Sequence, residues 1–192
     1  ERAMVLPQGN IAISTGSLQQ KEKITMKMDN TLLEDVNAQI NREFYAAYLY
    51  FAMATYFAEI NMEGFAKLTK NHAKEELNHA KKLYDYLILR NEKVNLFQIE
   101  APDTGWTNPT DAIQSALDHE RFVTGHIHKL YKDAKEKNDF ALEVFMQWYV
   151  SEQVEEEHLF QSMLDKMNYV QDCSCEIVNI DRELKIQSEY VE

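Results

Sequence analysis

The chain is short of the residues that break or staple a backbone, with five glycines, three prolines and two cysteines in 192 residues. So few breakers favour an all-α chain. Cys173 and Cys175 are separated by one residue and poorly placed to bridge each other, so they define no disulfide framework and only a weak metal signal. No run approaches the roughly 18 apolar residues of a membrane-spanning helix. Basic residues are outnumbered, 20 Lys and Arg against 32 Asp and Glu, for a formal charge of −12. That balance argues against nucleic acid as a partner, because its binding draws on Lys and Arg. It suits a protein that attracts cations, although a plainly solvated acidic surface has the same composition. The 45% hydrophobic and 27% charged content is that of a soluble globular protein with one sizeable core.

Residues 1–28 differ from the rest. Pro7, Gly9 and Gly16 interrupt them, a short β-like run covers Asn10 to Ile13, and there is no helical period. They lack the charged start and long apolar stretch of a signal peptide. The first residue is Glu1 rather than Met, which fits a processed, trimmed or engineered start. Residues 1–28 are therefore read as an extension, and 29–192 as the domain.

From Asn30 the pattern is helical. Val36, Ile40, Glu43, Ala47, Tyr50, Ala54 and Phe57 recur at three- and four-residue steps and share one face. Asn61 to Gly64 makes a short turn, which forces an antiparallel neighbour. A second helix from about Glu63 to Arg90 carries the stripe Phe65, Leu68, His72, Glu76, His79, Leu83 and Tyr86. A long connection with two prolines and a glycine follows, long enough to cross the bundle, and Pro109 suits a first helical turn. Ile113, Ala116, Glu120, Val123, Ile127 and Leu130 stripe the third helix. After Lys135 to Asn138 a fourth runs to about Lys166 with Phe145, Tyr149, Gln153, Glu156, Phe160 and Met163 inward. Ile177 to Ser188 makes a short amphipathic helix at best. Two short connections around one long crossover define an antiparallel four-helix bundle, whose helices of ~27–30 residues would be ~40–45 Å long.

Each long helix thus carries a glutamate in the middle of its apolar face: Glu43, Glu76, Glu120 and Glu156, with His79 three residues after Glu76. A carboxylate in a bundle core costs several kcal/mol or more without compensation, and four at one depth repel one another. Paired cations remove that objection. Carboxylates with one imidazole suit Fe(II), Mn(II) or Zn(II) better than copper(I), and a bridging carboxylate holds two ions close enough to act together. Any one of the four taken singly is better read as snorkelling to solvent; four coincident slips beside a correctly spaced histidine are not. Gln153 completes the fourth side. Glu75, Glu152 and Glu155 sit one residue from inner ligands, on the flank at the same height. Glu155 and His158 form a second Glu-x-x-His that faces water. His72 reads as a hydrogen-bonded core histidine with no acidic mate on its own turn, and His119, His126 and His128 as surface residues. Tyr50 and Trp148 lie within a turn or two of ligand level, where packing explains most aromatics and electron donation to a redox metal is the other role open to them.

NREFYAAYLY, HAKEELNHAKKL, DHERF and QWYVSEQVEEEHLF together resemble the non-haem bacterial ferritins over about residues 28–190. The resemblance implies a ferritin-like fold and a 24-subunit homo-oligomeric shell. It also implies ferroxidase activity, in which Fe(II) is oxidised by O2 at a di-iron centre in each subunit and stored inside as a ferric mineral. Carried over, Glu43, Glu76 and His79 hold the first iron; Glu76 bridges to the second, held also by Glu120 and Glu156. Glu75, Glu152 and Glu155, with Glu156, match a third iron site. Gln153 matches a polar residue near the site, and Tyr50 a tyrosine that takes part in oxygen reduction. Bacterioferritins carry His where Glu156 stands, so no haem is expected. Rubrerythrins carry a rubredoxin-like cysteine set that is missing after the bundle, and the mini-ferritins that protect DNA lack an intact site within the bundle. Competing readings are a carrier shell that does not oxidise iron, another ferritin-like di-iron protein, and a small helical interaction module. The expected location is the cytoplasm, with residues 1–28 leaving an organelle or secretion open.

Overall fold

The computed structural model describes residues 27–170 and 174–189, with side chains in the last stretch limited to 176–186. The run Asn10 to Ile13 and Cys173 lie outside the described residues, as does the side chain of Cys175. Five helices follow in order: α1 (Asn30–Glu59), α2 (Glu63–Leu89), α3 (Pro109–Glu136), α4 (Phe140–Tyr169) and α5 (Ser174–Glu189). α1 packs on α2 and on α3, α3 on α4, and α5 on α2. This is the four-helix bundle with a short C-terminal helix that the pattern predicts. α5 starts three residues earlier than expected and α4 ends three later. No helix among the described residues is long and apolar enough to cross a membrane.

Local chemistry explains the helix ends. The Asp29 carboxylate accepts from the Thr31 and Leu32 amides at 2.9 and 3.4 Å and starts α1. Asn108 does the same for Asp111 at 2.9 Å ahead of Pro109, whose missing N–H would have had no partner anyway. Asp139 accepts from the Leu142 amide at 3.1 Å to open α4, and also receives Arg90 Nη1 at 2.7 Å from the end of α2. α1, α2 and α3 all end on an asparagine in the left-handed region, Asn61, Asn91 and Asn138, with φ of 60°, 57° and 58°.

The crossover, residues 90–108, runs the length of α1. The Asn95 amide donates to Asn37 Oδ1 at 2.6 Å near one end, and Trp106 packs edge-on against Tyr56 at 5.6 Å near the other. Those two anchors are about 28 Å apart along the helix at 1.5 Å per residue.

The apolar core is in two parts. One contains Ala46 to Phe57 of α1, Phe65 and Ala73 of α2, Ala112 to Leu117 of α3 and Phe160 to Met167 of α4. The other contains Met28 to Ile40, Leu83 to Leu87, Val123 to Ala134 and Leu142 to Tyr149. The five expected ligands and Gln153 fall between them on every helix. Three stripe residues sit off the axis: Ala54, Leu68 and Phe145 are half-buried, while their neighbours Met53, Thr69 and Met146 take the interior. The helices are turned by a fraction of a residue from the simple three-four reading.

A candidate metal centre

Glu43, Glu76, His79, Glu120, Gln153 and Glu156 are each 6% exposed or less. They come from the middle turns of four helices because each helix crosses the bundle with its midpoint at the same depth. Donor atoms of Glu43, Glu76 and His79 lie within 4.8 Å of one another, and those of His79, Glu152 and Glu156 form a second such group. Glu76 Oε2 is 3.3 Å from His79 Nδ1 and has no hydrogen-bond partner. Glu156 Oε2 has none either.

The carboxylates that are not left open are held firmly. The Tyr50 hydroxyl donates to Glu120 Oε1, and Gln153 Nε2 donates to Glu120 Oε2 at 3.1 Å. Gln39 Nε2 donates to Glu43 Oε1 at 2.8 Å, and Arg42 fixes that amide by donating to Gln39 Oε1 at 3.2 Å. The Tyr149 hydroxyl donates to the His79 carbonyl at 2.8 Å, while the Trp148 ring stands edge-on to the His79 imidazole at 5.4 Å.

Burial is the leading electrostatic influence. It raises Glu43, Glu76 and Glu120 above the usual carboxylate range, the neighbouring Glu156 adds to each rise, and Glu120 reaches about 7. Burial also lowers His79, against the pull of Glu43 and Glu156. Carboxylates forced toward protonation, with Glu76 among them also carrying an open oxygen, are what a divalent ion would relieve. Three or more oxygen donors with one imidazole nitrogen suit Fe(II), Mn(II) or Zn(II).

Glu75 and Glu155 are exposed and Glu152 is half-buried, all on the bundle's flank. Glu152 reaches within 3.9 Å of His79 Nε2, whereas Glu155 joins none of the three groups found among the described residues. His158 and His128 are exposed, as expected.

Two histidine readings are corrected. His72 does have an acidic mate, since its Nδ1 is 2.6 Å from Glu75 Oε2, three residues on along α2. Its Nε2 is 3.0 Å from Glu156 Oε2. Burial pulls this imidazole down, but Glu156 and Glu75 together push it up to about 10. His119 is not a surface residue: it packs against Tyr45 at 5.5 Å, burial lowers it to about 4, and its Nε2 is enclosed without a partner. His126 is half-buried, with its Nδ1 2.9 Å from the Phe122 carbonyl. Gln39 was missed altogether, although its i−4 spacing from Glu43 was a readable signal.

The comparisons agree with this architecture. The Ferritin-like domain family matches residues 33–170. The bacterial non-heme ferritin of Staphylococcus saprophyticus is 36% identical over 161 residues, 84% of this chain and 96% of that protein. The one from Escherichia coli O157:H7 is 33% identical over 153 residues, 80% and 93% of the two chains. Among solved structures, an open pore ferritin from the hyperthermophilic archaeon Archaeoglobus fulgidus superposes with a TM-score of 0.80 at 38% identity, covering 82% of this chain and 96% of that one. The family match takes in the mid-helix positions of all four long helices, and with them the charged layer between the two half-cores: the chain belongs to the ferritin family.

Proposed function

We propose that the protein is an iron-storage ferritin that oxidises Fe(II) with O2 and keeps the Fe(III) product as mineral inside a 24-subunit shell. The observation that carries this reading is the convergence of Glu43, Glu76 and His79 within 4.8 Å in an otherwise apolar interior. These three take the first Fe(II). Glu76 has a free oxygen to share with a second ion, which Glu120 and Glu156 complete, and Glu75, Glu152 and Glu155 offer a further acidic station on the flank. Two ions side by side deliver two electrons to O2 together, which a single Fe(II) cannot do.

The surrounding residues have defined tasks. Tyr50 and Gln153 hold both oxygens of Glu120, so that carboxylate meets the metal with little reorganisation. Gln39 holds one oxygen of Glu43. Names of relatives such as the Staphylococcus saprophyticus protein support the storage role, and the intact inner carboxylates favour an oxidising subunit over a passive shell.

The test is aerobic addition of Fe(II) to the assembled protein and to Glu76→Ala and His79→Ala. Initial oxidation rates should fall at least about tenfold in both variants, in line with the loss of a ligand from a metal site. Wild-type rates in both would sink the site assignment. Gel filtration tests the shell, because elution near the mass of a single 22.5 kDa chain excludes it.

A further inference from the structure

A chain of hydrogen bonds leads out of the buried centre between α3 and α4. Glu120 and Thr124 stand four residues apart on α3, and Gln153 and Glu157 four apart on α4, so each pair shares a helix face one turn apart. The four interleave across the helix contact. Gln153 Nε2 donates to Glu120 Oε2 at 3.1 Å and to Thr124 Oγ1 at 3.3 Å. The Thr124 hydroxyl donates in turn to Glu157 Oε1 at 2.6 Å. Exposure rises along the chain, from Glu120 and Gln153 at 1% and 3% to half-buried Thr124 and Glu157. At the outer end Arg121 Nε lies 3.9 Å from Glu157 Oε2, while Arg121 Nη2 donates to Gln161 Oε1 at 2.9 Å.

The direction of every bond follows from that outer end. A carboxylate only accepts, so the single proton of the Thr124 hydroxyl is committed to Glu157. What Thr124 then offers Gln153 is a lone pair. An amide meets a lone pair with its NH2 and not with its carbonyl, so the Gln153 side chain is held one way round. The second proton of the same NH2 goes to Glu120. Glu120 by itself fixes the amide weakly. Its backbone carbonyl is 3.4 Å from Nε2, and a carboxyl carrying a proton would receive the amide oxygen equally well. Without Glu157, Thr124 is free to turn its proton toward Gln153. The amide can then flip and set its oxygen against Glu120.

We propose that Thr124 and Glu157 are positioning residues for the metal centre, acting through Gln153 to keep a hydrogen-bond donor on Glu120. Neither has to touch an ion. Outer partners that orient a ligating carboxylate are worth about 10–100-fold in metal affinity. The proposal rests on Glu120 serving as a metal ligand, whereas the hydrogen-bond chain itself does not.

Two measurements on the assembled protein test it. Neutron diffraction from a metal-free crystal locates the deuterons. Those on Gln153 Nε2 should point at Glu120 Oε2 and Thr124 Oγ1, and that on Thr124 at Glu157. A Thr124 deuteron aimed at Gln153, or the amide oxygen facing Thr124, overturns the proposal. Calorimetric titration with Zn(II), which is redox-inert, reads the consequence. Thr124→Val keeps the side chain's shape without its hydroxyl, and should bind one Zn(II) per chain about tenfold more weakly than wild type, with the other ions unchanged. Glu157→Leu should do the same, and Thr124→Ser should restore wild-type affinity. Unchanged affinity in Thr124→Val overturns the positioning role, and so does equal weakening of every ion, the mark of a merely structural defect. Glu120→Ala separates the two levels. If it binds Zn(II) as wild type does, Glu120 is no ligand, and the two-ion reading falls and takes the metal role of Thr124 and Glu157 with it.

Discussion

Glu120 shows what one side chain contributes when it is buried among its own kind. Tyr50 and Gln153 occupy both its oxygens, yet burial and the nearby Glu156 still raise it to about 7 from an ordinary 4.5. A folded pKa above the unfolded one means that the folded protein keeps a proton the unfolded chain has lost. That contribution to stability is complete below pH 4.5 and disappears as pH climbs through 7. The metal-free protein should therefore lose thermal stability between about pH 4.5 and 7, and a bound divalent ion should remove or reverse the trend. Melting midpoints across that window, with and without Zn(II), check this; a metal-free midpoint that rises with pH would contradict it. At this scale the sequence was legible where a residue's burial depends on its own helix. Glu43, Glu76, His79, Glu120, Gln153 and Glu156 could be found by counting along stripes. The His72 contact with Glu156 depends on where α4 lies beside α2, which spacing along α2 does not encode. The pairing of Glu75 with His72, three residues apart, was within reach of the same counting that found His79, and was missed. His119 was taken for a surface residue because Tyr45, which covers it, belongs to another helix.

Among the elements, the turns repeat one device. After α1, α2 and α3 an asparagine adopts a left-handed conformation, and the next residue's amide reaches back five positions: Met62 to Phe57, Glu92 to Leu87 and Asp139 to Ala134, each at 2.9 Å. This is the Schellman closure, in which glycine is the usual residue and asparagine the common substitute. A side chain other than asparagine or glycine pays roughly 1–2 kcal/mol for that backbone. Asn91→Ala should thus lower stability by about 1 kcal/mol, and Asn91→Gly should match or exceed the natural residue. Chemical denaturation of the three proteins checks the ranking, and equal midpoints for Ala and Gly would contradict it. The turns at Asn61 and Asn138 were legible from the interruption of the stripes. Asn91 was not singled out, because it opens a long connection where no second stripe follows at once.

At the scale of the whole molecule, α5 is fastened to the start of α2. Asp181 accepts from the Phe65 amide at 3.0 Å, and Lys185 pairs with Glu63. Gly64 is required there, since a Cβ at that position would lie 1.9 Å from the Asp181 carbonyl oxygen. The sequence indicated an amphipathic segment after α4 but not its dock, because the contact needs a missing side chain on one partner and a carboxylate on the other. The divided core has a further consequence for motion. Helices ordinarily fray from their ends and hold their middle turns longest. Here each long helix is gripped by apolar packing toward both ends and crosses a layer of mutually repelling carboxylates halfway along. In the metal-free protein the amides around Glu43, Glu76, Glu120 and Glu156 should exchange hydrogen for deuterium faster than those two turns to either side, and Zn(II) should slow them preferentially. Uniform protection along the helices, unchanged by metal, would refute this. Each helix would then behave as a beam supported at both ends with a soft centre, and the arriving ion would double as the brace.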